Sequence, residues 1–311
     1  MSDSLKTVGI VSTGDMGQAV GRVLITSGLR AVTFAGDRSN RTRGLAEGAG
    51  IESLASLAEV LQASDLFLSL VPPAAAREMA ERAARSLKGT TGSVVYADCN
   101  SVSPGTVREM ATIIEEAGSS FIDVAIIGQP PRVGQALGGG TPRFYVSGER
   151  AEFFMRLREH GIDVRVLPGP AGQASGLKMC YAALLKGLTA LSTNLLMAGT
   201  LMGLKEPLEA ELAEHQALLA DVMKRQLPLM PPKAYRWVGE MQEMARTYFD
   251  LGLPSGFFTS AAALFDLVAG TELGHEIPEQ RKLGTDLDEV VRLLADAVRD
   301  APPAAGPLRQ S

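Results

Sequence analysis

The fold follows from one stretch near the start of the chain, Thr7–Gly17, which reads TVGIVSTGDMG. A β-branched apolar run over Thr7–Ser12 predicts a buried strand, and the helical spacing of apolar residues over Met16–Ser27 predicts a helix directly after it. The N–H groups at such a helix start can bind phosphate oxygens. We therefore expect the turn to hold the pyrophosphate of a dinucleotide, through Ser12, Thr13, Gly14, Asp15, Met16 and Gly17. Because Ser12 stands where the usual motif has its first glycine, a plain strand-to-helix turn is the alternative.

Outward from this stretch, short apolar runs alternate with helical patterns through the first half of the chain. Such alternation predicts βαβ units and a mostly parallel, doubly wound sheet, which is the Rossmann arrangement. The predicted strands are Thr7–Ser12, Ala31–Gly36, Leu66–Val71, Val94–Cys99, Phe121–Ile127, Arg143–Ser147 and Val164–Leu167. The predicted helices among them are Met16–Ser27, Ala74–Leu87, Pro104–Ala117 and a short one at Glu149–Glu159.

The pattern changes after Pro170, where only helical segments follow. A long stretch rich in Ala, Leu and Met, Gly172–Gly199, predicts a helix that leads out of the first domain. We expect a Rossmann domain over residues 1–170 and an all-α domain over residues 171–311. The further predicted helices are Glu206–Arg225, Lys233–Leu251, Phe258–Thr271 and Asp286–Arg299.

Composition excludes several classes of function. The net charge is −5 and no run of basic residues occurs, so a nucleic-acid partner is not expected. The two cysteines, Cys99 and Cys180, lie far apart, and the N-terminus has no signal-peptide pattern, which favours reduced thiols in the cytoplasm. No charge-free apolar stretch is long enough to predict a membrane span. The three histidines do not cluster with the cysteines, so a metal site is not expected.

The end of the second predicted strand bears on the choice of dinucleotide. The residues from Gly36 to Arg43 read GDRSNRTR, with three arginines and two hydroxyl side chains. Arginine and hydroxyl groups at this position suit the extra phosphate of NADP, and we expect Arg38, Ser39 and Arg41 to contact it. Asp37 could instead bind the ribose hydroxyls, which keeps NAD(H) possible. A solvated helix start is the structural alternative.

Several motifs then occur in a fixed order. Met16-Gly17 lies in the glycine turn, and Gly176-Leu177-Lys178 lies early on the long predicted helix. Between them come Leu70-Val71-Pro72-Pro73, Asp98-Cys99-Asn100-Ser101 with Pro104, and Asp123–Gln129. In their order and spacing, over about residues 5–190, the chain resembles the β-hydroxyacid dehydrogenase and 6-phosphogluconate dehydrogenase superfamily. The stretch Lys233–Glu243 is similar to a helical domain that follows such Rossmann domains in poorly characterised bacterial proteins.

This resemblance implies an oxidoreductase that transfers hydride between NADP(H) and a small hydroxyacid or carbonyl compound. Lys178 takes the place of the family's catalytic lysine and would act as general acid and base. Leu70, Val71 and Pro72 would border the nicotinamide, and Asn100 would contact both cofactor and substrate. The expected substrate-binding residues are Asn100, Ser101, Ile127, Gly128, Gln129 and Tyr181. The family also implies a homodimer formed through the helical domain.

The chain departs from the family at several positions. Ile127 replaces the substrate-loop serine and Gln129 its second glycine, while Tyr181 and Ala182 stand where an asparagine is usual. Leu185 stands where phosphogluconate enzymes have a glutamate, so that substrate is not expected.

Two other functions stay open. An imine reductase is one alternative, because Tyr181 could donate a proton and the substrate loop is apolar. A non-catalytic protein that senses a dinucleotide is the other. For Lys186, two helical turns beyond Lys178, a structural role is expected over binding of a substrate anion.

Overall fold

The computed structural model describes residues 5–34, 36, 38–88, 94–138 and 140–300. Asp37, on which the NAD(H) alternative rests, lies outside the described residues.

The described part of the first half forms one sheet of eight strands in the order β3-β2-β1-β4-β5-β6-β7-β8. After β1 the next two strands are added on one side of it, and from β4 onward strands are added on its other side. This reversal of strand order creates the switch point, between β1 and β4, where open α/β sheets bind ligands. The pairing of β6 with β7 is antiparallel and the other pairings are parallel. The strands are β1 Thr7–Val11, β2 Arg30–Phe34, β3 Glu52–Leu54, β4 Leu66–Ser69, β5 Val95–Asp98, β6 Ser120–Ile127, β7 Arg143–Ser147 and β8 Asp163–Val166.

Helices cover both faces of this sheet, and two apolar clusters fill the space between. One cluster packs the first helix against strand residues such as Ile10 and Leu68, and the other packs Met79 and Met110 against Phe67 and Tyr96. The strand residues are fully buried because both faces are covered, as expected for a parallel sheet. The helices are α1 Asp15–Thr26, α2 Asn40–Gly48, α3 Leu57–Ala63, α4 Pro73–Leu87, α5 Pro104–Glu116 and α6 Ala151–Phe154, the last continued by a 3₁₀ turn at Met155–His160.

The remaining described elements are helical. They are α7 Gln173–Leu201, α8 Lys205–His215, α9 Ala217–Gln226, α10 Ala234–Asp250, α11 Gly256–Ala269, α12 Glu272–His275 and α13 Leu287–Asp300, with 3₁₀ turns at Leu227–Leu229, Pro231–Lys233 and Pro278–Gln280. The predicted fold class, a Rossmann sheet followed by an all-α region, is confirmed. None of the helices in the described ranges has the length and apolarity that a membrane crossing requires.

The chain packs as two compact units. Among the described residues, the first ends at Tyr181 and also includes Arg246–Leu253, and the second comprises Ala182–Ala245 and residues 254–300. Within the second unit, Leu196 on α7 packs with Met223, Leu227 and Val291. The functional domain boundary at residues 170 and 171 stays a prediction.

One predicted helix is wrong in its extent. The segment expected as a single helix over Glu206–Arg225 is two helices that separate at Gln216, whose backbone angles of φ −137° and ψ 40° are not helical. No glycine or proline marks this break in the sequence. Helix α8 buries none of its residues, so its apolar spacing carries little information on where it must end.

Candidate functional site

The glycine turn has the geometry that close phosphate approach requires. A Cβ atom at Gly17 would lie 2.1 Å from the backbone oxygen of Ser12, so only glycine lets α1 start so close to β1. At Gly14, an added Cβ would meet no described atom within 4 Å, which leaves open space in front of the helix. Gly14 is also the N-cap of α1 and no described side chain caps the helix there, so its first N–H groups are available to an anion.

The start of α2 faces the same turn. Ser39 is the N-cap of α2, and its hydroxyl accepts a hydrogen bond from the Thr42 backbone N–H at 3.2 Å. The Arg41 guanidinium forms an ion pair of 2.6 Å with Asp15 at the start of α1. Both side chains are more than a third exposed, so an incoming phosphate could replace the carboxylate at modest cost.

Sequence-predicted site residues follow three neighbouring parallel strands at one edge of the sheet. Leu70 follows β4, Asn100 follows β5 and Gly128 follows β6. The carboxyl ends of parallel strands meet at one edge, and this edge includes the end of β1 and its glycine turn. The structure therefore brings the predicted cofactor residues of β1 and β4 together with the predicted substrate residues of β5 and β6.

A row of buried polar side chains crosses the sheet below this edge. Ser69, Asp98, Asp123 and Ser147 are registered neighbours on β4, β5, β6 and β7, and all four are fully buried. We call these four residues the polar row. Registered neighbours project to the same face of a sheet, so the row forms a continuous polar strip inside an otherwise apolar layer.

Asn100 is tied to the polar row by its amide nitrogen. Its Nδ2 donates to Ser69 Oγ at 3.1 Å and to Asp98 Oδ1, and its backbone N–H donates to Asp98 Oδ2 at 3.3 Å. The carbonyl oxygen Oδ1 is buried and has no hydrogen-bond partner among the described residues. A buried polar atom without a partner is costly, and such atoms often belong to binding sites.

Asp98 has an unusual environment for a carboxyl group. Burial, and then the negative charge of Asp123, raise the pKa of Asp98 from 3.8 to about 7. The hydrogen bonds from Asn100 and the positive charge of Lys178 act in the opposite direction but are smaller. Asp98 can therefore gain or lose a proton near neutral pH.

Asp123 holds the start of α7 against the sheet. Its carboxylate accepts hydrogen bonds from the backbone N–H groups of Gly172 and Ser175 and from the hydroxyls of Ser175 and Ser147, at 2.6 to 3.0 Å. Ser147 Oγ in turn accepts from the Ala174 N–H at 3.1 Å. A carboxylate at a helix N-terminus satisfies N–H groups that have no partner within the helix and complements the helix dipole.

Lys178 lies one helical turn after Ser175, on the same side of α7. Because Ser175 is bonded to the polar row, this placement brings the Lys178 amine close enough to Asp98 for their charges to interact. Lys178 is half-buried, whereas Tyr181, one turn further on, is 48% exposed.

The other predicted substrate residues differ in their structural constraints. Gly128 has φ +130°, and a Cβ there would lie 2.8 Å from the Pro142 backbone, so glycine is required. Ile127 is half-buried and Gln129 is exposed.

Ser101 is half-buried and does not cap α5, because Ser103 is the N-cap and accepts from the Thr106 N–H. The Ser101 side chain therefore has no capping role at α5.

Lys186 has a partner within the second unit. Its amine lies 2.6 Å from Glu240 and 5.2 Å from the centre of the Trp237 ring, and Arg236 shares the same carboxylate. These contacts favour the structural role expected for Lys186.

Sequence reasoning did not assign a role to Asp98 or Asp123, although both lie inside the motifs that it singled out. The available signal was a carboxylate within an apolar strand run, since such a residue must have partners when the strand is buried. Which partners it has depends on strand register, which the sequence does not show.

The site fits a dinucleotide on the evidence of its own geometry. The open space at Gly14, the close approach at Gly17 and the uncapped start of α1 match the needs of a pyrophosphate. Hydroxyl and guanidinium groups at Ser39 and Arg41 lie at the start of α2, where the adenosine ribose is bound in this fold.

Comparison with curated proteins gives distant relatives. A protein of Methanothermus fervidus, described as an uncharacterized 28.5 kDa protein, is 28% identical over 171 residues, which cover 55% of this chain and 62% of the relative. A probable mitochondrial 3-hydroxyisobutyrate dehydrogenase of Dictyostelium discoideum is 28% identical over 156 residues, covering 49% of this chain and 46% of the relative. The matched part thus spans less than two thirds of each of these relatives.

Solved structures match over more of the chain. A conserved protein of unknown function, described as structurally similar to 3-hydroxyacid dehydrogenases, is 28% identical with a TM-score of 0.61 and covers 85% of this chain and 96% of its own. The 3-hydroxyisobutyrate dehydrogenase of Mycobacterium tuberculosis has a TM-score of 0.65 at 16% identity and covers 94% of this chain and 99% of its own, which shows a shared fold.

Family models divide the chain in the same way as its secondary structure. Residues 200–268 match a domain of unknown function, DUF1932, and residues 7–153 match the NAD binding domain of 6-phosphogluconate dehydrogenase. The resemblance seen in the motifs is confirmed: the chain carries an NAD-binding domain of the 6-phosphogluconate dehydrogenase type, followed by a DUF1932 domain.

Proposed function

We propose that this protein is an NADP(H)-dependent oxidoreductase of the β-hydroxyacid dehydrogenase type, with Lys178 as general acid and base. The observation that carries the proposal is the interaction of the Lys178 amine with Asp98 at the carboxyl end of β5. It supports the proposed role of Lys178, because a lysine near this edge of the sheet would be close to a cofactor held by the glycine turn.

The proposed mechanism assigns one task to each group of residues. The glycine turn binds the pyrophosphate, while Arg38, Ser39 and Arg41 bind the additional phosphate of NADP. Asn100, with Ser101, Ile127, Gly128, Gln129 and Tyr181, surrounds the substrate. The Lys178 amine accepts the hydroxyl proton during oxidation, or donates a proton to the carbonyl oxygen during reduction. The hydride chemistry would come from a nicotinamide cofactor, which Leu70, Val71 and Pro72 would border.

Preference for NADP(H) is supported by the cation-rich start of α2. Arg41 is already directed toward the glycine turn, where Asp15 holds it. Phosphate would compete with that carboxylate for the same guanidinium, because arginine binds both anions in similar geometry.

A homodimer formed through the helical domain is also proposed. Leu184 and Leu191, seven residues apart on α7 and therefore on the same face, are 69% and 51% exposed. Large exposed apolar side chains grouped on one helix face are typical of a protein contact surface.

The test is binding of NADPH and NADH, followed by turnover with a panel of 3-hydroxyacids, their oxo forms and cyclic imines. We expect K178A to lower kcat by about 100-fold or more with little change in NADPH affinity, because it removes a proton-transfer group and no cofactor contact. K88A, at an exposed lysine, should leave both unchanged.

Each other result contradicts a defined part of the proposal. Absence of binding to either dinucleotide contradicts the cofactor site. Full activity of K178A contradicts the role of the lysine. Turnover with imines alone indicates an imine reductase, and binding without turnover of any compound indicates a dinucleotide sensor.

A further inference from the structure

We propose that Asp98 is a positioning residue for the site: its carboxylate determines which way the Asn100 amide points and supplies the counter-charge of the Lys178 amine. This inference rests on the proposed function, because it assigns Asp98 a role toward the group that would move the proton.

The first argument is the hydrogen bonding of Asn100. Both hydrogens of its Nδ2 are used, one on Asp98 Oδ1 and one on Ser69 Oγ. An ionised carboxylate can only accept, so it must face the amide nitrogen and not the amide oxygen. The amide therefore presents only its carbonyl oxygen as a remaining polar group, and that oxygen binds donors such as a hydroxyl or an ammonium.

Protonation of Asp98 removes this constraint. A neutral carboxyl group has both a donor and an acceptor, so it can face either the nitrogen or the oxygen of the Asn100 amide. The orientation of Asn100 is then no longer determined by Asp98. Loss of the proton restores a single orientation.

The second argument is the balance of charge around the polar row. The titratable groups around Asp98 are Asp123 on β6, Lys178 on α7, and Tyr96 and Cys99 in its own segment. Asp123 accepts four hydrogen bonds, from two side-chain hydroxyls and two backbone N–H groups, whereas among the described residues the hydrogen bonds to Asp98 come from Asn100. Of the two neighbouring carboxylates, Asp98 therefore has fewer hydrogen bonds to stabilise its negative charge.

Asp98 thus changes charge within the range in which an enzyme works. Burial and the charge of Asp123 raise its pKa to about 7. Above this pH the Lys178 amine has a nearby counter-charge from Asp98, and below it that charge is lost. The environment of the Lys178 amine should therefore change at the pH where Asp98 ionises.

The experiment measures the Lys178 amine directly, with no substrate. Reductive methylation with ¹³C-formaldehyde gives each lysine an NMR signal that follows its own ionisation and nearby charges, and K178R identifies the signal of Lys178. We expect this signal to show a separate inflection near pH 7 in the unaltered protein. The inflection should be absent in D98N, which keeps the size of the side chain but cannot ionise.

The matched control is D163N, which removes another buried carboxylate, at the start of β8, where it pairs with Arg165. This variant should keep the inflection. An inflection that survives in D98N, or that is missing in the unaltered protein, overturns the proposal. Should D98N fail to fold, the infrared band of protonated carboxyl groups in the unaltered protein decides, since it must lose intensity at the pH of the inflection.

NADPH binding is measured on the same samples. No binding in the unaltered protein contradicts the proposed function and leaves the result for Asp98 standing by itself. If NADPH binds but the Lys178 signal shows no inflection that depends on Asp98, only the role of Asp98 is contradicted.

Discussion

At the scale of single residues, the site depends on where a side chain is missing as much as on where one is present. Gly14 and Gly17 lie three positions apart, yet the space around their Cα atoms differs completely. At Gly17 a Cβ atom would lie 2.1 Å from the backbone oxygen of Ser12, whereas a Cβ atom at Gly14 would have no described atom within 4 Å. One glycine therefore serves the packing of α1, and the other serves the proposed ligand.

This difference predicts that two alanine substitutions separate folding from binding. G17A should destabilise the protein by about 1–3 kcal/mol, because the new Cβ forces α1 away from β1. G14A should fold with unchanged stability but bind NADPH at least about tenfold more weakly, because the methyl group occupies the place of the phosphate. Chemical denaturation and NADPH titration measure the two effects. Normal NADPH binding by G14A would contradict the proposed position of the pyrophosphate.

A second prediction concerns the pH dependence of stability. Since the pKa of Asp98 in the fold, about 7, is above its ordinary value of 3.8, the folded state binds this proton more tightly than the unfolded chain does. The contribution of Asp98 to stability is therefore greatest at low pH and falls as the pH rises from about 4 to 7.

D98N has no such proton to lose. Relative to the unaltered protein, we expect its unfolding free energy to rise by about 3 kcal/mol between pH 5 and pH 8, at about 1.4 kcal/mol for each pH unit below the pKa of Asp98. Urea denaturation at both pH values measures this gain. An equal difference between the two proteins at both pH values would show that Asp98 does not titrate in this range.

At the scale of elements, the important contact is between the polar row and the first turn of α7. The strands β6 and β7 supply Asp123 and Ser147, and together these accept from three backbone N–H groups at the helix start and from the Ser175 hydroxyl. This contact sets both the position of α7 and the side on which Lys178 lies.

We predict that D123A destabilises the protein by about 3 kcal/mol, because it leaves several buried donors without an acceptor. D123N keeps one acceptor oxygen and should recover part of the loss. The order of stability, measured by denaturation, should be the unaltered protein, then D123N, then D123A. If D123A is as stable as the unaltered protein, the contact does not anchor the helix.

The elements also show how far sequence patterns reach. The strands and helices that were predicted for the first half lie within a few residues of their observed bounds, because most buried strands are apolar runs bounded by turn residues. The elements α2, β3 and α3 were not predicted, and α2 and β3 together bury a single residue, so their apolar pattern is weak. The break at Gln216 was not predicted, since α8 buries no residue and its composition suits a continuous helix. Patterns therefore located the buried elements better than the exposed ones.

At the scale of the whole molecule, the prediction concerns assembly. If the α7 face with Leu184 and Leu191 forms a homodimer, charges placed there must weaken it, because they would be buried without partners. We expect the double variant L184E/L191E to be monomeric by light scattering at concentrations where the unaltered protein is dimeric. L137E, at another exposed leucine in the first unit, is the control and should stay dimeric. A monomeric unaltered protein would contradict the proposed dimer.

The cytoplasmic location expected from composition also stays a prediction.

The amino-acid sequence by itself determined the class of the fold, the glycine turn and the motifs that mark the superfamily, because these depend on local periodicity and on short stretches of chain. Only the tertiary structure showed that Ser69, Asp98, Asp123 and Ser147 form one buried row, and that Ser175 and Lys178 lie against it. Strand register and the docking of a helix are contacts between residues far apart in sequence, and no local pattern specifies them. The charge environment that we assign to Lys178 therefore follows from packing, whereas the presence of a lysine at that position could be read directly from the chain.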